Sequence, residues 1–141
     1  MSASGLIPHC AWAGTLRQIE SGEVLTVRLT RDQNGRPREA LVLVDGNRMP
    51  RAYLNLCRHL PIPLDAASRQ FLRDGQLQCV THGARYRLED GLCVTGPCRG
   101  FSLYALELRV EGDNLFVVEP SASLGSEPQL SLVVADEKRE P

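Results

Sequence analysis

The sequence predicts an all-β, antiparallel fold, and three observations carry that prediction. Apolar and β-branched residues gather in short runs, turn dipeptides separate the runs, and no segment carries a sustained helical stripe. The chain has 141 residues, enough for one domain with a real core. Its formal charge is -1, from 16 basic and 17 acidic side chains, so no electrostatic field favours nucleic acid or a membrane surface. No run approaches the roughly 20 apolar residues of a bilayer span, and the first residues lack a basic segment followed by an apolar one. A soluble, cytoplasmic protein with no nucleic-acid or membrane partner is expected.

In chain order, strands are expected over Glu23–Thr30, Glu39–Val44, Arg51–Leu56, Leu103–Val110 and Asn114–Glu119. Asn34-Gly35, Asp45-Gly46, Asp74-Gly75, Asp90-Gly91 and the EGDN stretch at 111–114 punctuate them, which favours hairpins over crossovers. In the Leu103–Val110 run, Tyr104, Leu106, Leu108 and Val110 share one face, and Leu103, Ala105, Glu107 and Arg109 the other. The Leu64–Leu72 stretch has the composition for a helical turn. Residues 1–10 read as an N-terminal extension and 11–120 as the folded domain. From Ser121 the composition turns to Ser, Glu, Pro and Lys, so 121–141 reads as a partly disordered tail whose QLSLVV segment has the pattern to add an edge strand or dock on the core.

The chemistry concentrates between Cys57 and Gly83. Cys57 and His59 follow an apolar strand, and Cys79 and His82 follow the return strand of a hairpin at Asp74-Gly75. Five cysteines (10, 57, 79, 93 and 98) form an odd set in a chain without an export signal, which argues for metal ligands and reduced thiols over a disulfide framework. Zinc clips of the finger and ribbon type group like ligands on each arm, whereas each arm here is mixed. A centre with two unlike irons, one held by sulfur and one by imidazole, uses one Cys and one His from each arm. Isolated core cysteines and surface histidines are the bland alternative for each residue singly. A zinc-stabilised binding module, with the tail as its interaction element, is the alternative from another class.

The CRHLPIPL and CVTHGARYRLEDG stretches, with GPCRG downstream, resemble the Rieske ferredoxin family over about residues 11–119. The resemblance implies a Rieske-type antiparallel β-sandwich base with a small inserted cluster-binding subdomain, here about residues 55–100. It implies one 2Fe-2S cluster per chain, with Cys57 and Cys79 on the inner iron and His59 and His82 on the outer one. Around them it places Leu60, Gly83, Ala84, Tyr86, Gly96 and Pro97, the last two in the family's Gly-Pro loop. Ile62 and Thr81 stand where membrane-bound members carry a disulfide, so this chain resembles the soluble branch. Ala84 stands where the high-potential members have a Ser hydroxyl, which lowers the expected potential, and Tyr86 remains to hydrogen-bond a ligand sulfur. Pro61 replaces a common Gly and stiffens an apolar rim. Cys93 and Cys98 read as small buried residues rather than ligands, with a disulfide between them the lesser reading, and Cys10 as inert.

The function implied is a one-electron carrier between a flavin-dependent reductase and a terminal oxygenase or another redox acceptor. A small Rieske-like subunit of a larger oxidoreductase such as nitrite reductase is the alternative. An oxygenase in its own right would need a second iron held by two His and a carboxylate, and beyond His59 and His82 only His9 is left. No independent catalytic site is expected. With His59 and His82 as outer-iron ligands, added electron density makes their imidazole protons harder to remove. The reduction potential then falls with rising pH under alkaline conditions, and a flat profile in a redox titration over that range counts against His ligation.

Overall fold

The computed structural model describes residues 9–58, 63–64, 71–79 and 83–125. Among them are ten strands and one short helix. These are β1 (Cys10–Thr15), α1 (Leu16–Glu20), β2 (Leu25–Leu29), β3 (Arg38–Val44), β4 (Pro50–Leu54), β5 (Leu72–Arg73), β6 (Gln76–Gln78), β7 (Arg85–Tyr86), β8 (Cys93–Thr95), β9 (Leu108–Glu111) and β10 (Asn114–Val118). They form three antiparallel sheets, β1-β10-β9, β2-β3-β4 and β5-β6-β7-β8. The all-β expectation is met.

The β2-β3-β4 sheet is the centre, because β3 and β4 are buried on both faces. In register, Ala40 opposes Leu54 and Val42 opposes Ala52, and these four point toward the outer sheet. There they meet Leu115 and Val117 of β10, and Ile19 of α1, in one core. The alternate residues Leu41, Leu43 and Tyr53 face the other way, against Leu77, Tyr86 and Cys93 of the four-stranded sheet and Leu103 beyond it. The pleat thus divides one strand pair between two cores. Tyr53 also donates its hydroxyl proton to the Leu88 carbonyl at 2.6 Å, pinning the central sheet to the four-stranded one. Burial pushes its pKa up to about 12, against the opposing charge of Arg51.

The strands expected at 23–30, 39–44, 51–56 and 114–119 appear as β2, β3, β4 and β10, shortened or shifted at their ends. The continuous strand expected over Leu103–Val110 does not form; only Leu108–Glu111 is regular. Its first half changes partner at each step. The Leu103 N–H donates to Gly91, the carbonyl of Tyr104 accepts from Leu54, the Leu106 N–H donates to Ala52, and the carbonyl of Glu107 accepts from Val118. The segment crosses from the cluster-side sheet to the base, and that crossing breaks the ladder. Tyr104, Leu106 and Leu108 nonetheless pack together on the base core as the alternation predicts, while Val110 is exposed.

Four elements, β1, α1, β7 and β8, were not expected from the sequence. In β1 the register slips between Trp12 and Gly14, so its pattern does not alternate cleanly. In α1, Thr15 caps the helix: its hydroxyl accepts from the Gln18 N–H while the Gln18 side chain accepts from the Thr15 N–H. Five residues are too few to show a helical period. Of the Leu64–Leu72 stretch, residues 65–70 lie outside the described residues, as does the QLSLVV segment of the tail; Leu64 and Phe71 are buried in the cluster-side core. Residues 121–125 do lie on the base, where Arg38 donates to the Ser121 carbonyl at 2.8 Å.

The Asp45-Gly46 turn is held by a buried carboxylate. Asp45 accepts from the N–H groups of Asn47 (2.8 Å) and Met49 (3.0 Å) and from Arg51 Nε (2.9 Å). Burial raises its pKa, but these donors outweigh burial and hold it below the ordinary value. The stabilisation is therefore fully present above the unfolded pKa of about 3.9 and is lost as pH falls through the lower folded value. Asp45→Asn is expected to lower stability most near pH 7, with the gap to the native chain shrinking toward pH 3. Urea unfolding at the two pH values reads this, and an equal gap at both overturns it.

Candidate metal centre

Cys57 lies just beyond β4, and Cys79 just beyond β6. The Asp74-Gly75 turn, both residues at positive φ (52° and 77°), reverses β5 into β6 and sends the chain to Cys79. Both cysteines are fully buried in the cluster-side core. The Gly83 N–H donates to the Cys79 carbonyl at 2.8 Å, and the Cys79 N–H to that of Ala84 at 2.8 Å, which closes a tight loop between β6 and β7. His59, Leu60, Pro61, Ile62, Thr81 and His82 lie outside the described residues.

The loop after β4 is fixed from three directions. Asn55 donates to Glu39 Oε1 at 2.9 Å, and its own Oδ1 accepts from the Leu64 N–H at 2.8 Å, tying the two ends of the loop. Arg58 donates through Nη1 to the Ser102 carbonyl at 2.8 Å, and its guanidinium stacks 4.3 Å from the Tyr104 ring centre and 5.8 Å from that of Phe101. The Arg58 N–H donates to Tyr86 Oη at 3.1 Å. Sequence reasoning missed both Asn55 and Arg58. The position of Arg58 between a Cys and a His was the available signal.

Tyr86 fills the core and also works as a polar group. Its Oη lies 3.7 Å from Cys57 Sγ and 2.9 Å from Cys98 Sγ. Burial first, then the charge of a Cys57 thiolate, pushes its pKa up, so the phenol keeps its proton. Ala84 is buried without a hydroxyl, as its sequence says. Pro97 is exposed in the loop after β8, and Gly96 beside it passes close to Ala84: a Cβ there would meet Ala84 Cα at 2.7 Å, at a φ of +106°. Cys93 and Cys98 are buried, as expected, and their sulfurs lie 3.3 Å apart with no disulfide. Cys10 is exposed at the start of β1.

Two buried soft sulfurs on neighbouring loops, one facing a protonated phenol, suit a thiolate-held metal cluster better than a hydrophobic core. An antiparallel β-fold with two such buried cysteines at loop ends is compatible with a thiolate-held iron-sulfur centre. The chain belongs to the Rieske [2Fe-2S] domain family, whose model matches residues 10–119. Membership implies a Rieske-type 2Fe-2S cluster, which the buried Cys57 and Cys79 fit.

Solved structures share the fold. The terminal oxygenase of carbazole 1,9a-dioxygenase from Nocardioides aromaticivorans IC177 is similar with a TM-score of 0.58 and 23% identity, over 81% of this chain and 31% of that one. This chain thus spans about a third of the oxygenase's length. The ferredoxin of the same dioxygenase gives 0.53 and 24%, over 79% of this chain and 98% of its own. A Sphingomonas yanoikuyae B1 ferredoxin gives 0.55 and 17%, over 77% and 97%. No curated protein matches the sequence. Among the described residues no helix is long and apolar enough to cross a membrane.

The close approach at Gly96 supplies a test of the loop. Gly96→Ala adds a methyl against backbone at a left-handed φ and is expected to cost about 2 kcal/mol of stability. Chemical denaturation measures it, and a variant as stable as the native chain shows that the two loops separate freely.

Proposed function

We propose that the chain is a one-electron carrier that accepts an electron from a flavin-dependent reductase and delivers it to a terminal oxygenase or another redox acceptor, without catalysing a reaction itself. Cys57 and Cys79 ligate the inner iron, and His59 and His82 the outer iron, through which the electron leaves. The cluster occupies a subdomain of about residues 55–100 within a domain of about 11–120, with 121–141 as a tail, and the protein works in the cytoplasm. The observation that carries the reading is the buried Cys57 and Cys79 pair at the loop ends, with the Tyr86 phenol turned toward Cys57. The likeness in fold to two ferredoxins over nearly their whole length supports a carrier.

A bound 2Fe-2S cluster supplies reversible one-electron exchange. The protein supplies the rest. Burial of Cys57 and Cys79 keeps water from the sulfurs, and the Tyr86 hydroxyl offers a donor that favours added negative charge. Arg58, bonded to Tyr86 and Ser102, holds the backbone beside Cys57.

Anaerobically purified protein is expected to show one 2Fe-2S cluster per chain by iron and sulfide analysis, and a Rieske EPR signal on reduction with dithionite. His59→Ala and His82→Ala are each expected to abolish that signal. A colourless protein with one zinc per chain sinks the proposal, and a Rieske signal that survives both substitutions removes the ligand assignment.

A further inference from the structure

Cys98 lies in the Gly-Pro loop, where any small apolar residue would fill the space, yet its sulfur is the nearest described side-chain partner of the Tyr86 hydroxyl. We propose that Cys98 is a positioning residue for Tyr86, donating its S–H to Tyr86 Oη while Tyr86 donates its O–H to Cys57 Sγ, a relay that raises the reduction potential of the cluster. The proposal rests on Cys57 being a cluster ligand.

A phenol oxygen has one proton and two lone pairs. The Arg58 N–H at 3.1 Å occupies one lone pair. Two sulfurs then stand near the oxygen, Cys57 at 3.7 Å and Cys98 at 2.9 Å. As a ligand, Cys57 is a thiolate with no proton to give and the most electron density to accept one. The phenol proton therefore belongs to Cys57. The second lone pair is left to Cys98, whose thiol is a donor. Cys93, at 3.3 Å, is the competing acceptor. Its sulfur is a weaker acceptor than a phenol oxygen, and its own proton goes to the Thr95 carbonyl at 3.2 Å.

Hydrogen bonds in a chain polarise one another. Donation from Cys98 makes the Tyr86 O–H more positive at hydrogen, so it stabilises the reduced, more negative cluster more than the oxidised one. Ala84 offers no hydroxyl to the cluster, and the relay gives this chain a second route to the same end. The relay is buried throughout: Cys57 and Tyr86 are 0% exposed and Cys98 is 2% exposed, so water does not substitute for a missing donor.

The test is an EPR-monitored redox titration of the cluster-loaded native protein, Cys98→Ala, Cys98→Ser, Tyr86→Phe and the Cys98→Ala/Tyr86→Phe double variant. Cys98→Ala is expected to lower the equilibrium constant for reduction about tenfold, which is about 59 mV for one electron. Cys98→Ser keeps a donor and is expected to recover most of that loss. With Tyr86→Phe already present, Cys98→Ala is expected to change the constant less than about twofold, because the relay is already cut. Should Cys98→Ala not fold, Cys98→Val carries the same comparison with the volume kept. A Cys98→Ala protein with a Rieske signal and the native potential overturns the relay while leaving the ligand assignment standing. So does an equal shift in both backgrounds, which would mean that Cys98 acts on the cluster without Tyr86. A native protein without a Rieske signal overturns the ligand assignment and the relay together.

Discussion

Everything in this molecule hangs on a strand pair that has no solvent face. β3 and β4 direct Ala40, Val42, Ala52 and Leu54 into one core and Leu41, Leu43 and Tyr53 into another. Because the side-chain period of a strand is two, a slip of one residue would exchange the two sets and misfit both cores at once. The register is thus specified twice over. β4 runs into Asn55 and Cys57, so the same constraint fixes where the Cys57 side chain emerges. Asn55 extends this control by bonding Glu39 of β3 on one side and Leu64 on the other.

Much of this was legible in the chain itself. β-branched runs and Asp-Gly or Asn-Gly turns marked β2, β3, β4 and β10, and the mixed Cys and His arms pointed to the candidate metal centre. What escaped notice had physical reasons. α1 is a single capped turn that derives its stability from Ile19 in the core, a tertiary contact with no local period. β1 is interrupted by its register slip at Gly14. β7 and β8 are very short and are defined by their neighbours rather than by propensity. The Leu103–Val110 run alternates like a strand because half of it faces a core, but alternation reports burial and not which chain supplies the hydrogen bonds.

The centre divides in the same way. Ligand-type residues announce themselves by chemistry and spacing, whereas the groups that support them do so only through contacts distant in sequence. Arg58 reaches Ser102 and Tyr104, and Cys98 reaches Tyr86 and Cys93. The small size of Cys98 suggested filler, and its neighbours in space give it a polar role. Tyr86 carries both characters, since the ring packs among Leu77 and Cys93 while its oxygen meets the Arg58 N–H and the sulfurs of Cys57 and Cys98.

The clamp on Arg58 has a consequence for speed. Electron exchange is slowed by whatever nuclei must shift when charge arrives, so a site whose dipoles are already in place for both charge states has a small reorganisation energy. With its guanidinium stacked on Tyr104 and bonded to Ser102, and its N–H fixed on Tyr86, Arg58 leaves the backbone beside Cys57 little freedom to relax. Buried surroundings add few waters that would have to turn. For the carrier proposed above, such a centre would exchange electrons readily at small driving force, the condition under which a shuttle between partners of similar potential operates.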